Sequence, residues 1–210
     1  RAVLRGVPEI EKAAPLVMGT ETVAFGERRR QVALVGGTHE MLEVRRLGIA
    51  SGRFLPPLEW DRSSPVAVLG QKSAAELFPG RDPVGQIVRV GDWRMRVIGV
   101  LASRGQQLGV DMDDVAIVPV ATAMKMLNRR SLFRLLLQVR THADLDRAKE
   151  RVVRLIAERL GEVVDHQPAW LVAEDAVYAR DGLHQAVPAH GLVGVHGVQA
   201  RRIETGQPHV

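Results

Sequence analysis

The chain has 210 residues, of which 46% are hydrophobic and 25% charged, and these ordinary values exclude a disordered or collagen-like protein. Only 4% of the residues are aromatic, so we expect an aliphatic core and no stacking surface for single-stranded nucleic acid. The formal net charge is +5. Since there is no cysteine, disulfides, thiolate nucleophiles and cysteine-ligated zinc are excluded. The length suits one elaborate domain or a domain with an inserted second lobe.

Hydrophobic periodicity and turn residues predict a chain with many strands and few helices. The predicted strands are Glu11–Met18, Glu21–Phe25, Arg29–Val35, Val66–Leu69, Gln86–Val90, Trp93–Leu101, Val115–Val120, Phe133–Arg140 and Ala169–Ala173. The predicted helical segments are a turn at Ala2–Arg5, a short helix capped by Thr38 and ending at Val44, and the segments Lys72–Phe78, Ala121–Leu127 and His142–Leu160. The composition of Gly48–Pro65 predicts a loop.

Two local patterns are especially clear. Apolar and arginine side chains alternate at the start of Trp93–Leu101, which is typical of a half-buried antiparallel strand, and Gly91-Asp92 suits the tight turn before it. In His142–Leu160 apolar side chains recur on one helical face, and Thr141 with Asp144 predicts a capping box. A strand, a long helix and a strand near the carboxyl end indicate a β-α-β unit.

Motifs for phosphate binding and nucleophilic catalysis are incomplete. Gly70-Gln71-Lys72-Ser73 has glutamine where a phosphate-binding loop needs a glycine directly before the lysine. No Gly-x-Ser-x-Gly turn surrounds Ser73 or Ser103. We therefore predict no catalytic residue, no cofactor-binding residue and no cofactor, so that the chain is not an enzyme.

Histidines offer a weak case for zinc. His39-Glu40 begins the pattern of a zinc hydrolase helix, but no second histidine follows one turn later, so a polar first turn of a helix is the preferred interpretation. His184, His190 and His196 are evenly spaced but interleaved with glycine and proline. We predict no metal-binding residue among them.

An acidic cluster offers a weak case for calcium. Asp111, Asp113 and Asp114 supply several carboxylates, which a hard cation requires. Val115 occupies a position that a calcium loop fills with a ligand, and no glycine or terminal glutamate follows. A solvated turn before the next strand is the preferred interpretation.

Three sequence segments in the middle of the chain resemble a known protein family. They are ALVGGTHEMLEVRRLGIASGRFL (Ala33–Leu55), SPVAVLGQKSAAELFPGRDPVGQIVRVGDWRMRVIGVL (Ser64–Leu101) and MDDVAIVPVATAMKML (Met112–Leu127). In this order they closely resemble the periplasmic core domain of MacB-type permeases of ABC transporters, a group that includes FtsX- and LolC-like proteins. The resemblance covers roughly residues 2–165.

The resemblance implies an α+β fold with two lobes, in which both chain ends form an α/β porter-like lobe around an inserted β-rich lobe. The expected parts are residues 1–49 (porter-like lobe, first part), 50–124 (inserted lobe), 125–180 (porter-like lobe, second part) and 181–210 (an atypical tail expected to be poorly ordered). The strand Phe133–Arg140 should then pair with amino-terminal strands, and Trp93–Leu101 should lie in a different sheet.

The resemblance also implies a role and partners. The expected protein is a non-catalytic periplasmic domain of a bacterial inner-membrane permease, which couples ATP-driven motion to export or extraction of a substrate. The implied partners are a cytoplasmic ABC ATPase, a second permease subunit, and an adaptor (membrane fusion) protein or lipoprotein, with no nucleic acid.

Other functions stay open at the level of the sequence. An FtsX-like permease domain that regulates a cell-wall hydrolase is the nearest alternative. From different classes, the basic charge permits a nucleic-acid-binding module, and a hydrolase would need a convergent nucleophile, base and oxyanion donors.

Overall fold

The computed structural model describes residues 6–103, 106–107, 110–160, 171–177 and 190–196. The strands are β1 (Ile10–Phe25), β2 (Arg28–Gly37), β3 (Ile49–Gly52), β4 (Val66–Leu69), β5 (Ile87–Val90), β6 (Trp93–Leu101), β7 (Gln106–Gln107), β8 (Val110–Asp111), β9 (Val115–Pro119), β10 (Arg134–Val139), β11 (Leu171–Val177) and β12 (His190–His196). The helices are α1 (Glu40–Val44), α2 (Gln71–Leu77), α3 (Val120–Met126) and α4 (Leu145–Leu160), and a 3-10 turn at His142–Asp144 precedes α4. None of the helices within the described ranges is long and apolar enough to span a membrane.

The second half of β1 and five other strands form a closed circuit, which we call the barrel. Its order is β1, β2, β9, β4, β6 and β5, and β5 pairs back to β1. The closing contact is short, with Val23 opposite Val90 and Ala24 opposite Arg89. Because the circuit closes, side chains on the inner face of these strands meet in a common interior.

Aliphatic side chains fill the barrel interior, as the low aromatic content predicts. Leu69, Met95 and Val97 are fully buried there. Helices α2 and α3 contribute Leu77 and Ala123 to the same core. Burial of a leucine or methionine side chain stabilises the fold by about 1.5–3 kcal/mol, so this interior is a major source of stability.

The first half of β1 belongs to a second region, which we call the end layer. Here β1 pairs with β10, β10 with β12, and β12 with β11. Helix α4 packs Leu145, Ala148 and Val152 against one face of β1 and β10. This cluster includes Leu135 and Val139 of β10.

The other face of β1 and β10 is covered as well. Leu16 and Leu136 pack with Met41 of α1 and with Phe54 and Leu55, which follow β3. Two buried faces explain why β10 reads as a nearly continuous apolar segment rather than an alternating one. The core of the end layer thus continues into the layer that carries α1.

Most predicted elements are confirmed, with boundaries that differ by at most four residues. The hairpin β5–β6, the long helix and the pairing of the strand at 133–140 with the amino-terminal strand are present. The mixed α/β fold class is confirmed. The predicted helical turn at Ala2–Arg5 lies outside the described residues, and the predicted strand Ala169–Ala173 corresponds to β11.

Several expectations about elements are wrong. The two segments predicted on either side of Gly19 form one 16-residue strand, because Gly19 lies against Leu127 rather than in a turn: a Cβ at Gly19 would lie 2.6 Å from a Leu127 methyl. The predicted loop contains β3, which pairs with β6. Thr38 does not cap α1, since His39 is the N-cap and the Thr38 hydroxyl has no hydrogen-bond partner.

The expected separation of Trp93–Leu101 and Phe133–Arg140 into different sheets is also wrong. Strands β6 and β10 belong to one 10-stranded sheet, because β1 is long enough to pair with β10 along its first half and with β2 along its second. The four-part division at residues 49, 124 and 180 stays a prediction. Of the tail 181–210, residues 190–196 form β12, and the rest lies outside the described residues.

Candidate functional site

The acidic cluster before β9 is a structural ion-pair network. The guanidinium of Arg30 donates from Nε to Oδ1 and from Nη2 to Oδ2 of Asp114, both at 2.6 Å. The hydroxyl of Ser73 donates to Asp114 Oδ1 at 2.8 Å, and Arg30 also bonds Glu76 of α2. The network therefore joins β2, α2 and the segment before β9, three elements that are distant in sequence.

The pKa shifts in this network favour the charged forms of both Asp114 and Arg30. The hydrogen bond from Arg30 holds the pKa of Asp114 below its ordinary value, against the opposing effect of burial. The same bond raises the pKa of Arg30. The predicted turn is present, since the Asp114 N–H donates to the Asp111 carbonyl at 3.0 Å, but the Asp114 side chain is a partly buried ion-pair partner rather than a solvated one.

The other two acidic side chains serve the local chain. Asp111 Oδ1 accepts a hydrogen bond from the backbone N–H of Asp113 at 3.0 Å, as a turn residue does. Asp113 Oδ2 accepts one from the Ser103 hydroxyl at 2.7 Å. Among the residues that the structure describes, no group of three or more His, Asp or Glu side chains is arranged to hold a metal ion.

The Gly70–Ser73 segment has its backbone donors engaged within the chain. The N–H groups of Lys72 and Ser73 donate to the carbonyl oxygen of Asp113 at 2.8 and 3.1 Å. The N–H of Gly70 donates to Val115 at 2.8 Å. Phosphate-binding loops offer such N–H groups to the ligand, whereas here they fasten α2 to the segment before β9.

The histidines do not converge in the described part of the chain. His39 Nδ1 lies 3.3 Å from Glu40 Oε2, its sequence neighbour. His190 and His196 occupy the two ends of β12. His184 lies outside the described residues. Among the described residues, no group of three or more potential ligands forms around the His39-Glu40 pair.

The feature that unites the molecule is the change of partner along β1. Leu16 is the last residue of β1 opposite β10, where it faces Arg134, and the next residue, Val17, faces Gly36 of β2. The backbone N–H of Phe133 donates to the Leu16 carbonyl at 2.8 Å, so the chain entering β10 is bonded at the same point. One continuous strand thus carries both the end layer and the barrel.

One side-chain contact links the two regions at this junction, and another fastens β1 to α1. The indole of Trp60, in the segment between β3 and β4, packs against the barrel core and also against the end-layer core. Lys12 of β1 forms an ion pair with Glu43 of α1, and this hydrogen bond lowers the pKa of Glu43. The sequence did not single out Trp60, because nothing local indicates that one side chain contacts two cores.

Comparison with known sequences identifies the family. Residues 1–155 match the family model of the MacB-like periplasmic core domain. A macrolide export ATP-binding/permease protein MacB from Chlorobium luteolum is 34% identical over 150 residues, which is 71% of this chain and 23% of that protein. A MacB from Nitrobacter winogradskyi is 27% identical over 203 residues, which is 93% of this chain and 32% of that protein. The chain spans about a quarter of the length of the curated relatives it matches.

Solved structures show the same fold. The extracellular domain of the noncanonic ABC-type transporter YknZ from Gram-positive bacteria has a TM-score of 0.66 at 20% identity, over 77% of this chain and 83% of that chain. The periplasmic region of MacB from Actinobacillus actinomycetemcomitans has a TM-score of 0.64 at 20% identity, over 76% of this chain and 72% of that chain. The chain belongs to the MacB-like periplasmic core domain family and is an extracytoplasmic domain of a bacterial inner-membrane protein.

Proposed function

We propose that this domain is a non-catalytic mechanical element of an ABC transporter, which passes ATP-driven motion from the end layer to the barrel during export or extraction of a substrate. The observation that carries the proposal is the continuity of β1, which pairs with β10 along its first half and with β2 along its second. A displacement of the end layer along β1 moves the barrel with it, because no loop intervenes between the two.

The chemistry of the described residues supports a role without catalysis. The carboxylates and hydroxyls that invite a catalytic interpretation are bonded to partners within the fold, as in the network of Arg30, Ser73 and Asp114. A substrate-facing catalytic group needs a base, a nucleophile and oxyanion donors directed at one point. The energy then comes from an ATPase elsewhere in the transporter, and the working unit is a permease dimer with an adaptor or lipoprotein partner.

Trp60 offers a test of mechanical coupling in the full-length transporter. Trp60→Ala removes the side chain that packs against both cores, whereas Trp93→Ala removes an exposed tryptophan that belongs to neither core cluster. Both variants are reconstituted in proteoliposomes with the ATPase, and ATP hydrolysis and substrate transport are measured separately.

We expect Trp60→Ala to keep ATP hydrolysis within about twofold of the unmodified protein and to lose most of the transport, while Trp93→Ala keeps both. A thermal melt of each purified variant verifies that the domain is folded at the assay temperature. Equal transport per ATP in the Trp60 variant and the unmodified protein would contradict the proposal.

A further inference from the structure

A row of arginines crosses four neighbouring strands on the outer face of the barrel. In register, Arg29 of β2 lies opposite Ala24 of β1, Ala24 opposite Arg89 of β5, and Arg89 opposite Arg94 of β6. Directly opposed residues point to the same face of a sheet, so the three guanidinium groups share one surface. We call Arg29, Arg89 and Arg94 the arginine row.

The arginine row lacks acidic partners in the part of the chain that the structure describes. All three side chains are exposed, and no carboxylate there forms an ion pair with any of them. Like charges directly opposite each other destabilise a strand pair, and Arg89 and Arg94 are such a pair. The fold therefore carries a repulsion here, in contrast to Arg30, one residue away, which is fully engaged with Asp114 and Glu76.

An apolar side chain lies beside the row. Ile87 is on the same outer face of β5 as Arg89, since burial alternates along this strand, and 44% of its surface is exposed. Ile87, Ala24 and the arginine row line one shallow groove. Protein interfaces are enriched in arginine and bury apolar side chains, so an exposed isoleucine beside several arginines suits such a surface.

We propose that this groove docks an acidic, extended segment of a partner protein, with carboxylates on the arginine row and an apolar side chain on Ile87. The dimensions agree: three strand spacings from β2 to β6 span about 14 Å, and five residues of an extended peptide span about the same length. A peptide with acidic residues at positions one and five and an apolar residue at position three matches the groove. This docking stands independently of the mechanical role.

A protein segment fits these observations better than a membrane surface. Lipid headgroups attract basic side chains according to charge and need no fixed spacing. Here the strand register fixes the spacing, and Ile87 adds an apolar contact beside the row, two residues from Arg89 on β5.

A peptide titration of the ¹⁵N-labelled chain, followed by NMR, tests the proposal. The probe is an end-blocked nonapeptide, Glu-Ser-Leu-Ser-Glu-Ser-Leu-Ser-Glu, and the control replaces each Glu with Gln. We expect saturable shifts at low ionic strength for the acidic peptide, centred on β5 and the β1–β2 hairpin, and none for the control. Replacing all three row residues (Arg29→Gln, Arg89→Gln, Arg94→Gln) should weaken binding about tenfold or more.

A matched variant separates the row from net charge. Replacing Arg62, Arg81 and Arg129 with glutamine removes the same charge from three other exposed positions and should weaken binding less than threefold. Equal losses in the two triple variants, or no binding of the acidic peptide to the unmodified chain, would overturn the proposal. So would row-dependent sedimentation with phosphatidylglycerol vesicles in the absence of peptide binding, since that outcome identifies a lipid surface.

Arg94→Glu distinguishes a binding role from a structural one. It places opposite charges in register with Arg89, so we expect the melting temperature to stay level or rise. Peptide binding should fall at least tenfold in the same variant. A fall in both stability and binding would instead show that Arg94 supports the barrel itself and would contradict the proposal.

Discussion

The barrel and the end layer share β1 but enclose their cores differently. In the barrel, strands and two helices surround Leu69, Met95 and Val97 on every side. In the end layer, the described core residues, Val152 among them, lie between one face of the sheet and a cover formed by α4, Val7 and Trp60, and Leu155 of α4 is only half-buried. A core open at its margins relaxes more easily than an enclosed one, so the barrel should be the stiffer body.

The largest effect is expected at the β3–β6 edge of the barrel, where Gly52 lies opposite Gly99. Gly52 has φ +72°, and a Cβ there would lie 2.3 Å from the backbone oxygen of Ile98. Gly52→Ala therefore combines left-handed strain with a backbone clash, and we expect it to lower the free energy of unfolding by roughly 3–5 kcal/mol in urea melts.

Gly80→Ala is the matched control for this clash. Gly80 has a similar φ of +69°, but nothing lies within 4 Å of an added Cβ. We expect a loss of about 1 kcal/mol from the backbone conformation alone. Equal losses at Gly52 and Gly80 would show that the β3 edge yields freely, and that the barrel is not rigid at this point.

A pair of leucines compares the two cores directly. Leu69→Ala creates a cavity inside the barrel, and Leu145→Ala creates one under α4. We expect Leu69→Ala to lower the free energy of unfolding by roughly 4 kcal/mol and Leu145→Ala to lower it by roughly 2–3 kcal/mol, because the end layer collapses more readily around a cavity. Equilibrium unfolding of the two variants checks this order, and a larger loss at Leu145 would reverse the assignment of the stiffer region.

The ion pair between Arg30 and Asp114 makes part of the stability of the barrel depend on pH. The pKa of Asp114 is lowered in the folded chain, so its contribution is present above the ordinary value of 3.8 and is lost as the pH falls through the folded value. We expect Arg30→Gln to cost roughly 2 kcal/mol at neutral pH, and its difference from the unmodified chain to shrink in melts below about pH 4.

Arg29→Gln is the control for this pH dependence, because Arg29 directly precedes Arg30 in β2, is exposed, and has no ion pair among the described residues. Its effect on stability should stay within about 0.5 kcal/mol at every pH. A difference between Arg30→Gln and the unmodified chain that persists unchanged at low pH would show that the arginine acts by packing rather than by pairing with Asp114.

Local elements could be predicted from the sequence because their signals are local. The β5–β6 hairpin follows from period-two alternation and the Gly91-Asp92 turn, and Gly91 does adopt a positive φ of +56°. Helix α4 follows from its apolar stripe. At its start the Thr141 hydroxyl donates to the Asp144 carboxylate at 2.6 Å and the Asp144 N–H donates to the Thr141 carbonyl at 3.2 Å, which differs from the side-chain to backbone bonds of the predicted capping box. The resemblance of ordered sequence segments then indicated the correct family.

The contacts that organise the molecule could not be predicted, because they depend on strand register. Arg30 and Asp114 are 84 positions apart in sequence, and the residues around each one do not indicate that the two form an ion pair. The sequence predicts two strands instead of the continuous β1, because a glycine such as Gly19 commonly interrupts a strand. Here the glycine instead leaves room for the Leu127 side chain. The arginine row forms because β5 pairs with β1, and no local sequence pattern predicts this pairing.

The most direct test of β1 as a continuous mechanical link is native-state hydrogen exchange of the peptide that spans residues 14–22, compared with peptides from β2 and β9. Strand β2 is the partner of β1 directly after the junction where β1 leaves β10, and β9 is the next strand of the barrel. We expect the junction amides to exchange only through the same global opening as the β2 and β9 amides, with equal free energies of opening. Exchange at the junction through a separate opening several kcal/mol lower in free energy would show a hinge in β1 and would contradict rigid transmission.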